Sequence, residues 1–198
     1  MLQKIILASS SPSRLALLKQ INIIPDHIHP PEIDETALKK EKLPDMVKRL
    51  AKEKCLKVCE LYPKDVVIAA DTVSVVARHK LRKTYDADQA YKNLQAISGK
   101  RHKLHTSLVV GVKDQDILVQ KTVISTLKFK QFSAQELEEY IASGQWQGCS
   151  GSYALEGLAA KYVSWISGSF SNILGLPLYE LNQILSGINI KVKGYNDK

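Results

Sequence analysis

Asp71 closes the continuous apolar run Val66-Val67-Ile68-Ala69-Ala70. That run reads as a strand covered on both faces. In open α/β sheets, ligands collect beyond the carboxyl ends of strands. A carboxylate there can serve as a general base for water or as a metal ligand; the plainer reading is a strand-end Asp in a turn. Leu7-Ala8-Ser9-Ser10-Ser11-Pro12-Ser13-Arg14 is the second candidate. It reads as strand, tight polar loop and helix start, with Pro12 in the first turn, where a missing N–H costs nothing. Free helix N–H groups, serines and Arg14 together make an anion site, although Ser11 is equally an ordinary helix cap.

Other chemistry-bearing residues are scattered. Glu32-Ile33-Asp34-Glu35-Thr36 places three carboxylates in a loop after Pro31. Lys54 lies on the otherwise apolar face of a helix, where a snorkelling stem is the plainer reading. Lys83 follows a basic turn, Gly99-x-x-His102 precedes a strand, and Gly168-Ser169-x-Ser171-Asn172 precedes Gly175-Leu176-Pro177. For these three, turn chemistry and solvated charge suffice. Cys55, Cys59 and Cys149 make no disulfide framework. Cys55 and Cys59 share a helix face, and packing is favoured over metal binding; His27 and His29 are likewise not expected to hold one. No phosphate-loop, dinucleotide or nucleophile-elbow pattern occurs, so phosphate binding here is not of the P-loop kind.

The elements that must position these groups alternate between strands and helices. Strands are expected at Lys4–Ser9, His27–His29, Asp65–Thr72, Lys103–Lys113, Ile117–Phe132 and Tyr162–Ile166. Helices are expected at Pro12–Gln20, Leu43–Leu61, Asp86–Ile97, from Ser133 through Ala142 with Glu136 at capping-box spacing, and at Leu178–Leu185. Gly144–Gly151 reads as a glycine-bearing loop. The order argues for an α/β fold with a mixed sheet and flanking helices.

The chain has 198 residues, enough for one sizeable domain or two small lobes. Its 28 Lys and Arg outweigh 20 Asp and Glu, a net charge of +8 that fits anionic partners, phosphorylated small molecules among them. The cations are spread and not interleaved with aromatics, so nucleic acid is not the expected partner. No apolar run is long enough to span a membrane, and the N-terminus carries no signal-peptide pattern. A cytoplasmic protein is the expectation.

Taken in order, the motifs resemble the Maf family, the septum formation inhibitor Maf-like proteins. They run Leu7-Ala8-Ser9-x-Ser11-Pro12-x-Arg14-x-x-Leu17-Leu18, Ile33-Asp34-Glu35-Thr36, Leu50-Ala51-x-x-Lys54 and Ala70-Asp71-Thr72-Val73. Leu81-x-Lys83-x-x-Asp86, Ser98-Gly99-x-x-His102-x-x-x-Thr106, Gly151-Ser152-Tyr153-Ala154-Leu155-Glu156-Gly157 and Gly168-Ser169-Phe170-Ser171-Asn172-x-x-Gly175-Leu176-Pro177-Leu178 follow. Each alone is weak; the ordered set, nearly end to end, is specific.

The resemblance implies a single Maf-like domain over residues 1–198, elongated, with two lobes flanking a cleft as in inosine-triphosphatase-like folds, and often a homodimer. It implies a nucleoside triphosphate pyrophosphatase that cleaves an NTP to the monophosphate and pyrophosphate with Mg²⁺ or Mn²⁺ and cleans the nucleotide pool. Asp71, Glu35 and Lys54 would be catalytic, with Asp71 and Glu35 as metal ligands. Ser9, Ser11, Arg14, Lys83, Thr72 and Glu156 would bind substrate. A triphosphate carries about four negative charges, which Arg14, Lys54 and Lys83 can meet. The alternative is a Maf-fold regulator with weakened catalysis, binding nucleotide or nucleic acid and linked to division arrest.

Four positions depart from the family's common pattern: Ser13 for a second arginine, Thr84 for a proline, Cys149 for a lysine and Glu156 for a glutamine. Cys149 and Glu156 resemble the branch acting on 7-methyl-GTP, whereas Asp71-Thr72 resembles the dTTP/UTP branch. A glutamine amide donates and accepts, matching a uracil-type edge; an ionised Glu156 only accepts, which suits the adjacent donors of guanine.

Overall fold

The structure, a computed structural model, describes residues 3–77, 79–81 and 83–188. Among these, seven strands hydrogen-bond in the order β2-β1-β3-β5-β6-β7, with β4 paired to β3. They are β1 (Ile5–Leu7), β2 (His27–Ile28), β3 (Val66–Val76), β4 (His79–Leu81), β5 (Arg101–Val112), β6 (Ile117–Phe129) and β7 (Val163–Ser167). The helices are α1 (Pro12–Gln20), α2 (Leu43–Leu61), α3 (Ala87–Ile97), α4 (Ala134–Ala142), α5 (Phe170–Ile173) and α6 (Leu178–Gly187). Strand β1 runs parallel to β2 and β3, while β4 is antiparallel to β3 and β7 to β6, so the sheet is mixed. The expected α/β class therefore holds.

The chain divides into two compact units. The first comprises residues up to Asp71, Thr106–Val123 and residues from 175 onward. Strand β1 and the first half of β3 are buried on both faces, which is why Ile5-Ile6-Leu7 and Val66 to Ala70 are continuous apolar runs. Ile6, Ala8, Val67, Ala69 and Val109 pack with Ala51, Cys55, Val58 and Cys59 of α2. The two thiols lie 3.9 Å apart, in line with the packing role expected of them. Gly111 makes room for them, since a Cβ there would sit 2.9 Å from Cys55 Sγ and 3.0 Å from Cys59 Sγ. Both sulfurs thus press directly on the β5 backbone.

The second unit comprises Thr72–His105 and Ile124–Leu174. Its core joins Ala90, Leu94 and Ile97 of α3 to Leu127 and Phe129 of β6, Leu137 and Tyr140 of α4, and Tyr153 and Tyr162. Asp86 caps α3 through the Gln89 N–H at 2.7 Å. Ser133 and Glu136 form the expected capping box on α4.

Three differences from the sequence reading have physical causes. Strand β3 continues five residues past Asp71 instead of ending near it, because β4 pairs with it at Ser74↔Leu81, Val75↔Lys80 and Val76↔His79. The parallel pairing with β1 nevertheless stops at Leu7↔Ile68, so Asp71 lies beyond the carboxyl end of β1. Elements β4 and α5 are only three and four residues long and carry no periodicity from which to be read. Strand β6 stops at Phe129, where its register against β7 shifts between Lys128 and Phe129. No helix among the described residues is long and apolar enough to cross a membrane.

Candidate active site

In the first unit, β1 delivers its chain directly into α1. Ser11 caps α1, accepting from the Arg14 N–H at 3.4 Å, so its ordinary capping role is realised. Ser9 is buried, and its Oγ accepts from the Ser11 N–H at 3.2 Å and from Arg14 Nη1 at 3.0 Å. Arg14 Nε donates to the Gly175 carbonyl at 2.8 Å. A buried guanidinium thus ties the loop after β1 to the turn that precedes α6. Burial pulls Arg14 below its ordinary pKa, and the charges of Asp71 and Glu35 push it back up. The cation is therefore held where both carboxylates feel it.

Lys54 explains its odd place on α2. Its Nζ lies 2.7 Å from Asp71 Oδ1 and 2.6 Å from Glu35 Oε1. The lysine and Asp71 side chains are only 11% and 13% exposed, whereas Glu35 is 56% exposed. One ammonium therefore joins an inner and an outer carboxylate. The structure brings Ser9, Ser11, Arg14, Glu35, Lys54 and Asp71 together around the end of β1. The Asp71 and Glu35 oxygens reach one common cation, a donor set that fits Mg²⁺ or Mn²⁺, which bind through one or two carboxylates plus water and phosphate. Among the described residues no group of three or more His, Cys, Asp or Glu could hold a metal by itself.

Glu35 sits in a segment without regular secondary structure, and the residue that fixes it was missed in the sequence. Arg49 of α2 forms a fork with Glu41, Nε to Oε1 at 2.6 Å and Nη2 to Oε2 at 2.8 Å. Its Nη2 also donates to the carbonyl of Thr36, next to Glu35, at 3.0 Å. Glu41 further accepts from the Leu38 N–H at 3.0 Å, and Asp34 accepts from the Thr36 N–H at 2.8 Å. Hydrogen bonds with Glu41 push Arg49 above its ordinary pKa. Arg49 carries no signal of its own in the sequence, because nothing local ties it to a carboxylate eight residues earlier. His27 and His29 pack against Tyr62, with ring centroids 5.7 Å away in each case.

In the second unit, Lys83 lines an open cavity of about 710 Å³ with Lys80, Lys92, Asp86, Asp88 and Asn93. Glu156 is exposed in the turn before Leu158–Tyr162. The Cys149 thiol is pushed up in pKa by burial and by the Glu156 charge, while Lys83 pulls it down. Cys149 is thus near enough to feel both charges, which come from separate segments. Gly151 has a φ of 80° and no room for a side chain; a Cβ would lie 2.7 Å from Tyr153 and 3.0 Å from Ser74 Oγ. The glycine loop bearing Cys149 is pinned there against β3. Thr72 follows Asp71 on β3 and is half-buried.

Fold and site define an α/β protein with a cation-bridged carboxylate pair beside a helix-start anion loop. The chain matches the Maf-like protein model over residues 4–188 and belongs to that family. A relative from Ehrlichia ruminantium (strain Welgevonden), named nucleoside triphosphate pyrophosphatase, is 45% identical over 92% of this chain and 94% of its own. One from Ruegeria sp. (strain TM1040), named dTTP/UTP pyrophosphatase, is 45% identical over 91% of this chain and 92% of its own. Among solved structures, a HAM1 protein from Coxiella burnetii aligns with a TM-score of 0.48 at 15% identity, over 94% of this chain and 99% of that one.

Proposed function

We propose that this chain is a nucleoside triphosphate pyrophosphatase, hydrolysing an NTP to the monophosphate and pyrophosphate and so cleaning the nucleotide pool. The observation that carries the reading is Lys54 held between Asp71 and Glu35 beside the Arg14–Ser9 loop, in a chain related over most of its length to proteins named for that activity. Both units act as one Maf-like domain in this reaction, and the cytoplasm, where nucleotide pools lie, is its proposed place.

Asp71 accepts a proton from the attacking water or holds the metal. Glu35 is the outer partner in either role. Lys54 and Arg14 meet phosphate charge, and the α1 start with Ser9 and Ser11 orients the phosphate chain. Lys83 supplies a further cation, while Thr72 and Glu156 contact the nucleoside. A divalent cation, held by Asp71 and Glu35, would neutralise phosphate charge and polarise the scissile anhydride.

Two observations point to different bases. The acceptor-only carboxylate of Glu156 suits the paired donors of guanine. Several relatives are named dTTP/UTP pyrophosphatase. The test is a panel of canonical and 7-methylated NTPs with Mg²⁺ or Mn²⁺, read as pyrophosphate release. Turnover of any member at a rate that Asp71→Asn abolishes supports the enzyme; tight nucleotide binding without pyrophosphate release favours the regulator.

A further inference from the structure

We infer that Lys54 is an internal counter-ion occupying the cation position of the Asp71–Glu35 pair, so that the divalent ion enters together with the triphosphate and not before it. This rests on the proposed reading of the site and adds an order of binding to it.

The argument is one of charge and of ligand number. Asp71 and Glu35 contribute two negative charges, and the Lys54 ammonium contacts both at 2.7 and 2.6 Å. The Arg14 guanidinium, buried and always charged, acts on the same two carboxylates. Two anions facing two cations leave no negative excess to draw a divalent ion. Such an ion would also have to displace Lys54, whose side chain is mostly buried against Asp71. No third carboxylate, histidine or cysteine joins the pair among the described residues. Protein ligands alone therefore leave most of an octahedral shell to water.

A triphosphate reverses this balance. Its roughly four negative charges offer Lys54 a better partner and give the metal additional oxygen ligands. Glu35, the more exposed carboxylate, is the side from which the ammonium can leave. Lys54 then serves twice, first holding the carboxylates together and afterwards meeting phosphate.

The test is Mn²⁺ binding to nucleotide-free protein, followed by calorimetry or by the free-Mn²⁺ electron paramagnetic resonance signal. Wild type should bind weakly. Lys54→Met, with folding checked by circular dichroism, should bind at least about tenfold more tightly, since one like charge leaves contact range. Adding Asp71→Asn to that variant should abolish the gain. A second measurement needs no variant: a non-hydrolysable α,β-methylene triphosphate should raise the affinity of wild type for Mn²⁺ beyond that of the analogue alone. Wild-type protein that binds Mn²⁺ without nucleotide as tightly as Lys54→Met, or with the analogue no more tightly than the analogue alone does, overturns the inference. Neither measurement needs turnover. A failed NTP panel would therefore bring down the proposed activity separately from the counter-ion role.

Discussion

Around Lys54, two carboxylates and a buried guanidinium sit in direct ionic contact or within one another's field. Around Lys83, two more lysines face an open cavity, and an exposed Glu156 and a half-buried thiol act through space. The first arrangement is tight and charge-balanced, with Lys54 on α2 and Asp71 on β3; the second is open, with Lys83, Cys149 and Glu156 outside regular elements and Lys80 and Lys92 on β4 and α3. Rigid elements suit groups that must meet a reacting bond within a fraction of an ångström. Turn-borne groups suit recognition, where one residue can be exchanged without disturbing the fold. On the proposed reading, the first unit would set whether the reaction runs, and the second what it runs on.

The sharpest break in that division would come at Asp71. Asp71→Asn keeps the volume and a hydrogen bond to Lys54 but removes the charge that a base or metal ligand needs. Turnover should fall on the order of 10²- to 10⁴-fold, with an unchanged circular dichroism spectrum. Near-normal pyrophosphate release by this variant would end the catalytic assignment.

Glu156→Gln tests the other half. If Glu156 reads the base, giving it a donor should move kcat/KM for UTP relative to that for GTP or its 7-methylated form by roughly 5–150-fold. The overall rate on the better substrate should stay within a few-fold. A wild type that already prefers UTP, or a ratio that stays put, assigns base choice to other residues and favours the pyrimidine reading.

Arg49 asks whether the first unit depends on anchoring as much as on charge. Arg49→Met removes the fork to Glu41 and the bond to the Thr36 carbonyl, and Glu35 loses its fixed backbone. The expected loss in kcat is about tenfold, the low end for groups that orient a site residue. Arg49→Lys should rescue little, because an ammonium cannot make the planar fork. The partly exposed ion pair Arg49–Glu53 contributes little to stability, but Glu41 is only 8% exposed and its carboxylate is left without the fork. Melting temperature should therefore fall together with kcat, and a collapse in melting temperature with unchanged kcat would make Arg49 merely structural.

These contrasts also mark how much could be read without coordinates. Long apolar and periodic segments, such as Val66 to Ala70 and Leu43–Leu61, were legible because burial writes itself into consecutive residues. Lys54 was legible as an anomaly, a charge on an apolar face, although its partners were not. The run of β3 past Asp71 and the Arg49–Glu41 fork were illegible for one reason. Each depends on a partner brought near by tertiary structure, with no local pattern to announce it. The ordered motifs supplied the candidate residues, but the ionic contacts of Lys54 with Asp71 and Glu35 appear only in three dimensions.

The smallest expected effect on turnover is at His102, a buried residue of the second unit. His102 is buried, with Nε2 at 2.7 Å from the Tyr153 hydroxyl and its ring stacked at 5.7 Å from Phe129. Burial holds its pKa down at about 4, against an ordinary value of 6.5, with a backbone hydrogen bond at Lys100 opposing. As pH falls below the ordinary value, the unfolded chain takes up a proton that the folded chain refuses. Stability is therefore fully present above about 6.5 and is lost as pH drops towards about 4, by about 3 kcal/mol in all. His102→Gln should leave kcat at neutral pH nearly unchanged, because no reacting group lies beside the ring. The variant should instead flatten the decline of melting temperature between pH 7 and 4.5 that wild type shows. A wild-type melting temperature independent of pH across that window would mean that His102 is not held neutral. An equally steep decline in the variant would assign the acid sensitivity to other groups.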